Sequence, residues 1–217
     1  TVLDFSASIG VVSLGHNHPR VLAAEQLCRD RKLVDAIKVA PHRLQAGLAH
    51  LLAQTLPGDL DVAFLAVSGA EAVEAGMKIC EKAQGPEKTK FLAMRNSFHG
   101  KTHGALSVTT SGRWSQGFLL GIPRENVALA KHGDLEDLKR VVREETHDGN
   151  NPFIAVLIEV IQGEGLEVVP DGYLKGLVEF CKENDILTLF DEVKMGMGRS
   201  GRFCAFEREE GVVPDVV

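Results

Sequence analysis

The sequence predicts an α/β fold: a mostly parallel sheet in three layers, with helices on both faces. Three observations point to it. Short apolar runs recur without alternation, as in strands buried on both faces. Stretches with helical spacing of apolar residues separate them, so strand and helix alternate along the chain. The composition, 44% hydrophobic and 25% charged over 217 residues, is that of an ordinary globular chain.

The elements follow in order. Residues 64–67 (FLAV) form a short apolar run and read as a strand. Residues 68–83 have helical period, with Val73, Met77 and Cys80 on one face. Residues 90–94 are strand-like, and 126–130 are a further strand candidate. Residues 134–146 carry a stripe of Leu135, Leu138, Val141 and Val142. The β-prone run 153–158 (FIAVLI) starts after Pro152. Residues 173–184 are amphipathic through Leu174, Leu177, Val178 and Cys181, and 186–190 are another buried strand. The chain opens on Thr1 without a Met and closes on Pro214-Asp215-Val216-Val217, which reads as the start of a strand. It is therefore expected to be a piece of a longer protein.

The bulk numbers narrow the function. A net charge of −6 speaks against a nucleic-acid partner, which favours a basic face. No apolar run is long enough to span a membrane. Cys28, Cys80, Cys181 and Cys204 form no C-x-x-C pair, which disfavours a zinc site or disulfide framework and favours a reducing, cytoplasmic setting.

Ligands of such folds sit beyond the carboxyl ends of the strands. After residues 64–67 comes Ser68-Gly69-Ala70-Glu71, a capping box; it is either only a well-capped helix or a phosphate site at a helix N-terminus. After residues 90–94 come Phe98-His99-Gly100 and His103. The two histidines have metal-type spacing, but Gly100 weakens a helix and no acid is near, so no metal is assigned. Phe98 is either core or a wall over a planar ligand. After residues 153–158, Glu159 and Glu164 stand in a Gly-rich loop, either solvated or orienting a substrate. After residues 186–190 comes Asp191, a partly desolvated carboxylate that requires a cationic or hydrogen-bonding partner. Gly196 to Gly201 fit G-x-G-x-x-G, yet four residues separate Asp191 from Gly196 and little helix follows, so a dinucleotide site is not expected.

In register, these segments resemble class III pyridoxal-phosphate-dependent aminotransferases over nearly the whole chain. Leu14-Gly15-His16-Asn17-His18-Pro19 is similar to the family's N-terminal segment. Ser68 to Ala72 resemble its phosphate-binding helix start, and Phe98 to Thr102 its ring-stacking motif. Glu159 to Gly165 resemble E-P-[VI]-Q-G-E-G-G, and Asp191 to Gly201 resemble D-E-V-Q-x-G-x-G-R-x-G.

The resemblance implies an incomplete fold-type-I large domain at 44–217, preceded by the N-terminal segment of a small domain at 1–43. It implies a pyridoxal 5′-phosphate site made of Ser68, Gly69, Ala70, Phe98, His99, Glu159, Asp191, Val193 and Lys194. Within it Asp191 pairs with the ring nitrogen, Phe98 and Val193 cover the two faces, and Glu164 stands near the substrate. It implies transfer of an amino group from an ω-amino acid or diamine to a 2-oxo acid such as 2-oxoglutarate, in a homodimer, with a slight lean to diamines.

Three departures stand out: Lys194 in place of Gln, Val160 and Leu166 in place of Pro and Gly, and the absence of the family's Schiff-base lysine, which follows P-D-[IV]. The last leaves a non-catalytic module or partner subunit as the alternative.

Overall fold

A strand without a polar face must be covered on both sides, and the chain supplies a helical layer for each. The structure is a computed structural model that describes residues 2–33 and 41–217. Its elements run α1 (Ala7–Gly10), α2 (Pro19–Asp30), α3 (Arg43–Thr55), α4 (Gly69–Gln84), β1 (Lys90–Met94), α5 (His103–Val108), β2 (Val127–Ala130), α6 (Leu135–Glu145), β3 (Phe153–Ile158), α7 (Tyr173–Glu183) and β4 (Leu187–Phe190). Single 3-10 turns occur at Arg124–Asn126 and Ala205–Arg208.

The four strands form one parallel sheet in the order β2-β1-β3-β4. Successive side chains go to opposite faces. Phe91, Ala93, Ala155, Leu157 and Leu189 pack with Val73, Met77 and Cys80 of α4 and with Ala105 and Val108 of α5. Leu92, Met94, Val156, Ile158 and Phe190 pack with Leu138, Val141 and Val142 of α6 and Leu174, Leu177 and Cys181 of α7. All three stripes read from the sequence thus face the core where expected, with Leu135 and Val178 only partly buried. Phe206, from the last 3-10 turn, closes the second layer with an edge-on contact to Phe190 at 6.0 Å between ring centroids.

The expected strand at 64–67 joins no ladder among the described residues. Phe64 is 70% and Val67 96% exposed, so the apolar run finds no neighbouring strand to bury it. An apolar pattern records what a segment can bury, whereas a strand also needs a partner backbone. The end of the chain does find one: Val216 bridges Leu189 in parallel, and Phe190 N donates to Val216 O at 2.9 Å.

The capping box is present. Ser68 Oγ accepts from Glu71 N at 3.3 Å, and the Glu71 carboxylate accepts from Ser68 N at 3.1 Å. Halfway along α4, Gly76 lets the helix settle on the sheet, because a Cβ there would lie 2.4 Å from Leu189 Cδ1. Gly76→Ala is therefore expected to lower stability by about 1–3 kcal/mol through overpacking, although alanine is the better helix former. An unchanged or raised urea midpoint would show that the contact is not tight.

Candidate active site

Sheet register builds the site. Ile158 of β3 pairs with Phe190 of β4, so the next residues, Glu159 and Asp191, leave the sheet side by side. β1 lies on the other side of β3, and its following loop folds back over both carboxylates. Phe98 N donates to Glu159 Oε2 at 3.0 Å, and His99 Nδ1 lies 2.8 Å from Asp191 Oδ2. The loop is itself pinned by Thr109, whose hydroxyl accepts from His99 N and donates to Gly100 O, each at 2.9 Å.

The result is a buried chain of charge. The His99 side chain is fully buried and that of Asp191 is 5% exposed. Burial works against the charged imidazole. The hydrogen bond and charge of Asp191, with the charge of Glu159 behind them, prevail and raise the His99 pKa above its usual value. Glu159 is raised chiefly by burial, with His99 and the Phe98 amide opposing. Its second oxygen accepts from Gly163 N at 2.8 Å, which fixes the start of the Gly-rich loop. Asp191 Oδ1 accepts from Val193 N at 3.0 Å. Each Asp191 oxygen thus holds one proton donor and keeps a further lone pair, as an ionised carboxylate has about four acceptor sites. The partner that the sequence requires for Asp191 is His99, whose Nε2 is buried without a hydrogen-bond partner among the described residues.

These groups open onto a cavity of about 690 Å³, within the range of small-molecule and cofactor sites. Gly69, Ala70, Phe98, His99, Glu159, Glu164, Asp191, Val193 and Lys194 all line it. Ser68 does not; its hydroxyl is engaged in the capping box. The first amides of α4 behave otherwise. Glu71 N and Ala72 N are satisfied by Ser68, while among the described residues no acceptor takes the protons of Gly69 N or Ala70 N. Two free donors at the start of a 16-residue helix are suited to an anion.

Close approach explains the glycines. A Cβ on Gly69 would lie 2.5 Å from Val193 Cγ1. Gly100, at φ +131°, would place one 2.6 Å from Ala70 Cβ. The glycines of residues 196–201 shape a loop: Gly196 N donates to Glu192 O and Gly198 N to Phe203 O. Glu192 in turn accepts from Ala205 N and Phe206 N, both at 2.9 Å. The G-x-G-x-x-G spacing is therefore a tight turn with a half-buried acidic anchor.

Lys194 turns inward and donates from Nζ to Gly163 O. Leu166, in place of the glycine of the resembled motif, stands at φ +56° on the exposed loop, a conformation that disfavours a side chain. Residues 9–11 form part of the cavity wall, and Arg199 Nη2 holds that segment through Gly10 O at 3.3 Å and Ser13 Oγ at 3.2 Å.

Sequence reasoning missed the rim formed by Lys101, Arg113 and Trp114. Phe98 meets Trp114 edge-on at 5.8 Å, and Lys101 Nζ lies 3.7 Å from the Trp114 ring centroid. Glu164 Oε1 accepts from Trp114 Nε1 at 2.9 Å and Arg113 Nη2 at 3.1 Å. Burial opposes ionisation of Glu164, but these donors hold its carboxyl below its usual value. The chain's single tryptophan, set in a polar loop, was the available signal.

Comparison with known proteins places these features in a family. The class-III aminotransferase family pattern matches residues 1–217. Acetylornithine aminotransferase of Methanopyrus kandleri is 38% identical over 99% of this chain and 52% of its own length. Putrescine aminotransferase of Pectobacterium atrosepticum is 36% identical over 99% of this chain and 45% of its own. An ornithine aminotransferase structure from Toxoplasma gondii, described as having partial pyridoxal-phosphate occupancy at its active site, superposes with a TM-score of 0.82 at 30% identity; it covers 98% of this chain and 49% of that one. The chain spans about half the length of the relatives it matches. With the family pattern satisfied from end to end, the chain belongs to the class-III aminotransferases.

Proposed function

We propose that this chain forms the cofactor-binding part of a pyridoxal-phosphate-dependent aminotransferase, which moves an amino group from an ω-amino acid or diamine to a 2-oxo acid such as 2-oxoglutarate. The observation that carries this reading is the Asp191–His99 pair, facing a cavity that also presents two free helix amides. The donor set fits the cofactor: an ionised carboxylate with open lone pairs for a ring nitrogen, and free N–H groups for a phosphate.

When bound, the cofactor supplies an aldehyde carbon that exchanges the amino group and a ring that withdraws electrons from it. The chain's own residues do the rest. Gly69 and Ala70 would offer their amide N–H groups to the phosphate. Asp191 would accept from the protonated ring nitrogen, with His99 steadying the Asp191 charge from its far side. Phe98 and Val193 would flank the ring. Lys194, which already donates to Gly163 O, would offer a further N–H to the ring hydroxyl, the role that glutamine has in the resembled motif. Glu159 would stand beside the substrate's reacting end.

The same proposal assigns residues 1–43, of which 1 and 34–40 lie outside the described residues, to a small domain and 44–217 to the first part of the large one. It includes a homodimer and a cytoplasmic setting.

Three outcomes test the reading. Trp114 lines the cavity, so its emission is expected to be quenched on titration with pyridoxal phosphate, and a flat titration would overturn the site. Asp191→Asn is expected to weaken cofactor binding about ten- to a hundredfold, the equivalent of ~1.5–3 kcal/mol for a hydrogen bond to a charged group; unchanged affinity would remove Asp191 from the site. His99 has a raised pKa in the fold, so its contribution to stability is complete below the ordinary histidine value of 6.5 and is lost as pH rises through the folded value. Wild type should therefore lose stability relative to His99→Gln across that window, and parallel pH profiles in urea would contradict the pairing. Transfer itself is tested by formation of glutamate from 2-oxoglutarate across a donor panel in the full natural protein.

A further inference from the structure

Behind the cavity wall, one side chain takes over where the β3 ladder ends. Ile158 O accepts from Asp191 N at 2.8 Å. The main chain is paired again from Val160 onward, where Val169 N donates to Val160 O at 3.2 Å and Gln162 N to Glu167 O at 2.9 Å. Between these points lies Glu159, whose carbonyl accepts from His132 Nε2 at 2.8 Å. His132 belongs to the loop after β2, and β1 lies between β2 and β3, so the imidazole reaches across the end of β1. A carbonyl only accepts, so the bond places a proton on Nε2. Burial lowers the His132 pKa, against the hydrogen bond itself and the charge of Glu167, so the ring is neutral at neutral pH and held as one tautomer.

The residue after Glu159 shows what this bond is for. The resembled motif has proline there. A proline fixes its own φ and restricts the residue before it to extended backbone. Val160 imposes no such restraint on Glu159. It is 1% exposed, and among the described residues no acceptor takes its N–H. A proline at 160 would therefore forfeit no hydrogen bond. The Glu159 side chain makes its backbone setting matter, because its two oxygens hold Phe98 N and Gly163 N at the cavity wall. A turn of the main chain at Glu159 would displace both.

We propose that His132 is a positioning residue of the site: its grip on the Glu159 carbonyl replaces the restraint of a proline at 160 and so holds the Glu159 carboxylate, the Phe98 wall and the Gly163 turn in place. The inference rests on the aminotransferase reading and adds to it a residue that does not line the cavity.

The test compares His132→Gln, whose amide reaches the carbonyl, with His132→Met, similar in length but without a donor, in the full natural protein. Hydrogen exchange is read first, without cofactor. His132→Met is expected to speed exchange at the Phe98 and Gly163 amides about tenfold or more, and His132→Gln to leave them near wild type. With pyridoxal phosphate bound, His132→Met should lower kcat about tenfold per loaded site, while KM and loading change by less than about twofold, because displacing a group at the reacting end costs rate before binding. A merely structural role would lower the urea midpoint and the loaded fraction but leave kcat per loaded site alone. Val160→Pro should be near neutral in wild type and restore most of the loss in the His132→Met background. Should His132→Met not fold, His132→Asn, whose amide stops short of the carbonyl, is held to the same criteria, and loss of the fold in both overturns a positioning role in favour of a structural one. Unchanged exchange or unchanged kcat in His132→Met overturns the inference, as does His132→Gln behaving like His132→Met. Additive effects of Val160→Pro, or a proline that the fold does not accept, overturn the equivalence with proline. Wild type that loads no cofactor overturns the aminotransferase reading and with it the effect on kcat, whereas loaded wild type matched by His132→Met overturns only the role of His132.

Discussion

A carboxylate at the end of a fully apolar strand has lost most of its water, and the cost of that position organises everything around it. Asp191 is stable there because His99 is brought to within 2.8 Å by a loop from a strand two places away in the sheet. That loop is held by Thr109 behind it and by Glu159 below it. Glu159 reaches its place because the register of β3 with β4 aligns the last residues of the two strands. A slip of one residue would turn Asp191 or Glu159 to the opposite face of the sheet. Strand register, loop closure and charge balance are therefore one constraint, and the cavity is its by-product.

The same logic explains why the polar cluster has few rivals for its partners. Two carboxylates and one imidazole share a largely buried region at the cavity wall, and backbone amides from Phe98, Gly163 and Val193 supply the remaining donors. The amides belong to three separate loops, so the cluster acts as a knot tying those loops together. Gly69 and Gly100 bring the α4 terminus and the Phe98 loop into the contact distances that a side chain would forbid.

Much of this was legible in the sequence. The strands at β1 and β3, the buried stripes of α4, α6 and α7, and the capping box of Ser68 and Glu71 follow from periodicity and local hydrogen bonding, which act over a few residues. The need for a partner at Asp191 was legible too, but its identity was not, because His99 is 92 residues away and only the sheet order brings it close. The segment at 64–67 failed for a related reason: its apolar pattern was right for a strand, but pairing is a property of neighbours. The Trp114 rim carried no periodic signal at all, since it depends on a loop meeting Glu164 across a gap of 50 residues.

The brace from Arg199 to Gly10 and Ser13 bears on the cavity itself. One guanidinium from the turn beyond Asp191 holds residues 9–11 of the cavity wall, while the Trp114 side carries the long, exposed side chains of Lys101 and Arg113. That part of the cavity wall is thus fastened by the same stretch of chain that supplies Asp191, so the charge of Arg199 acts on the cavity's shape as well as on its own turn.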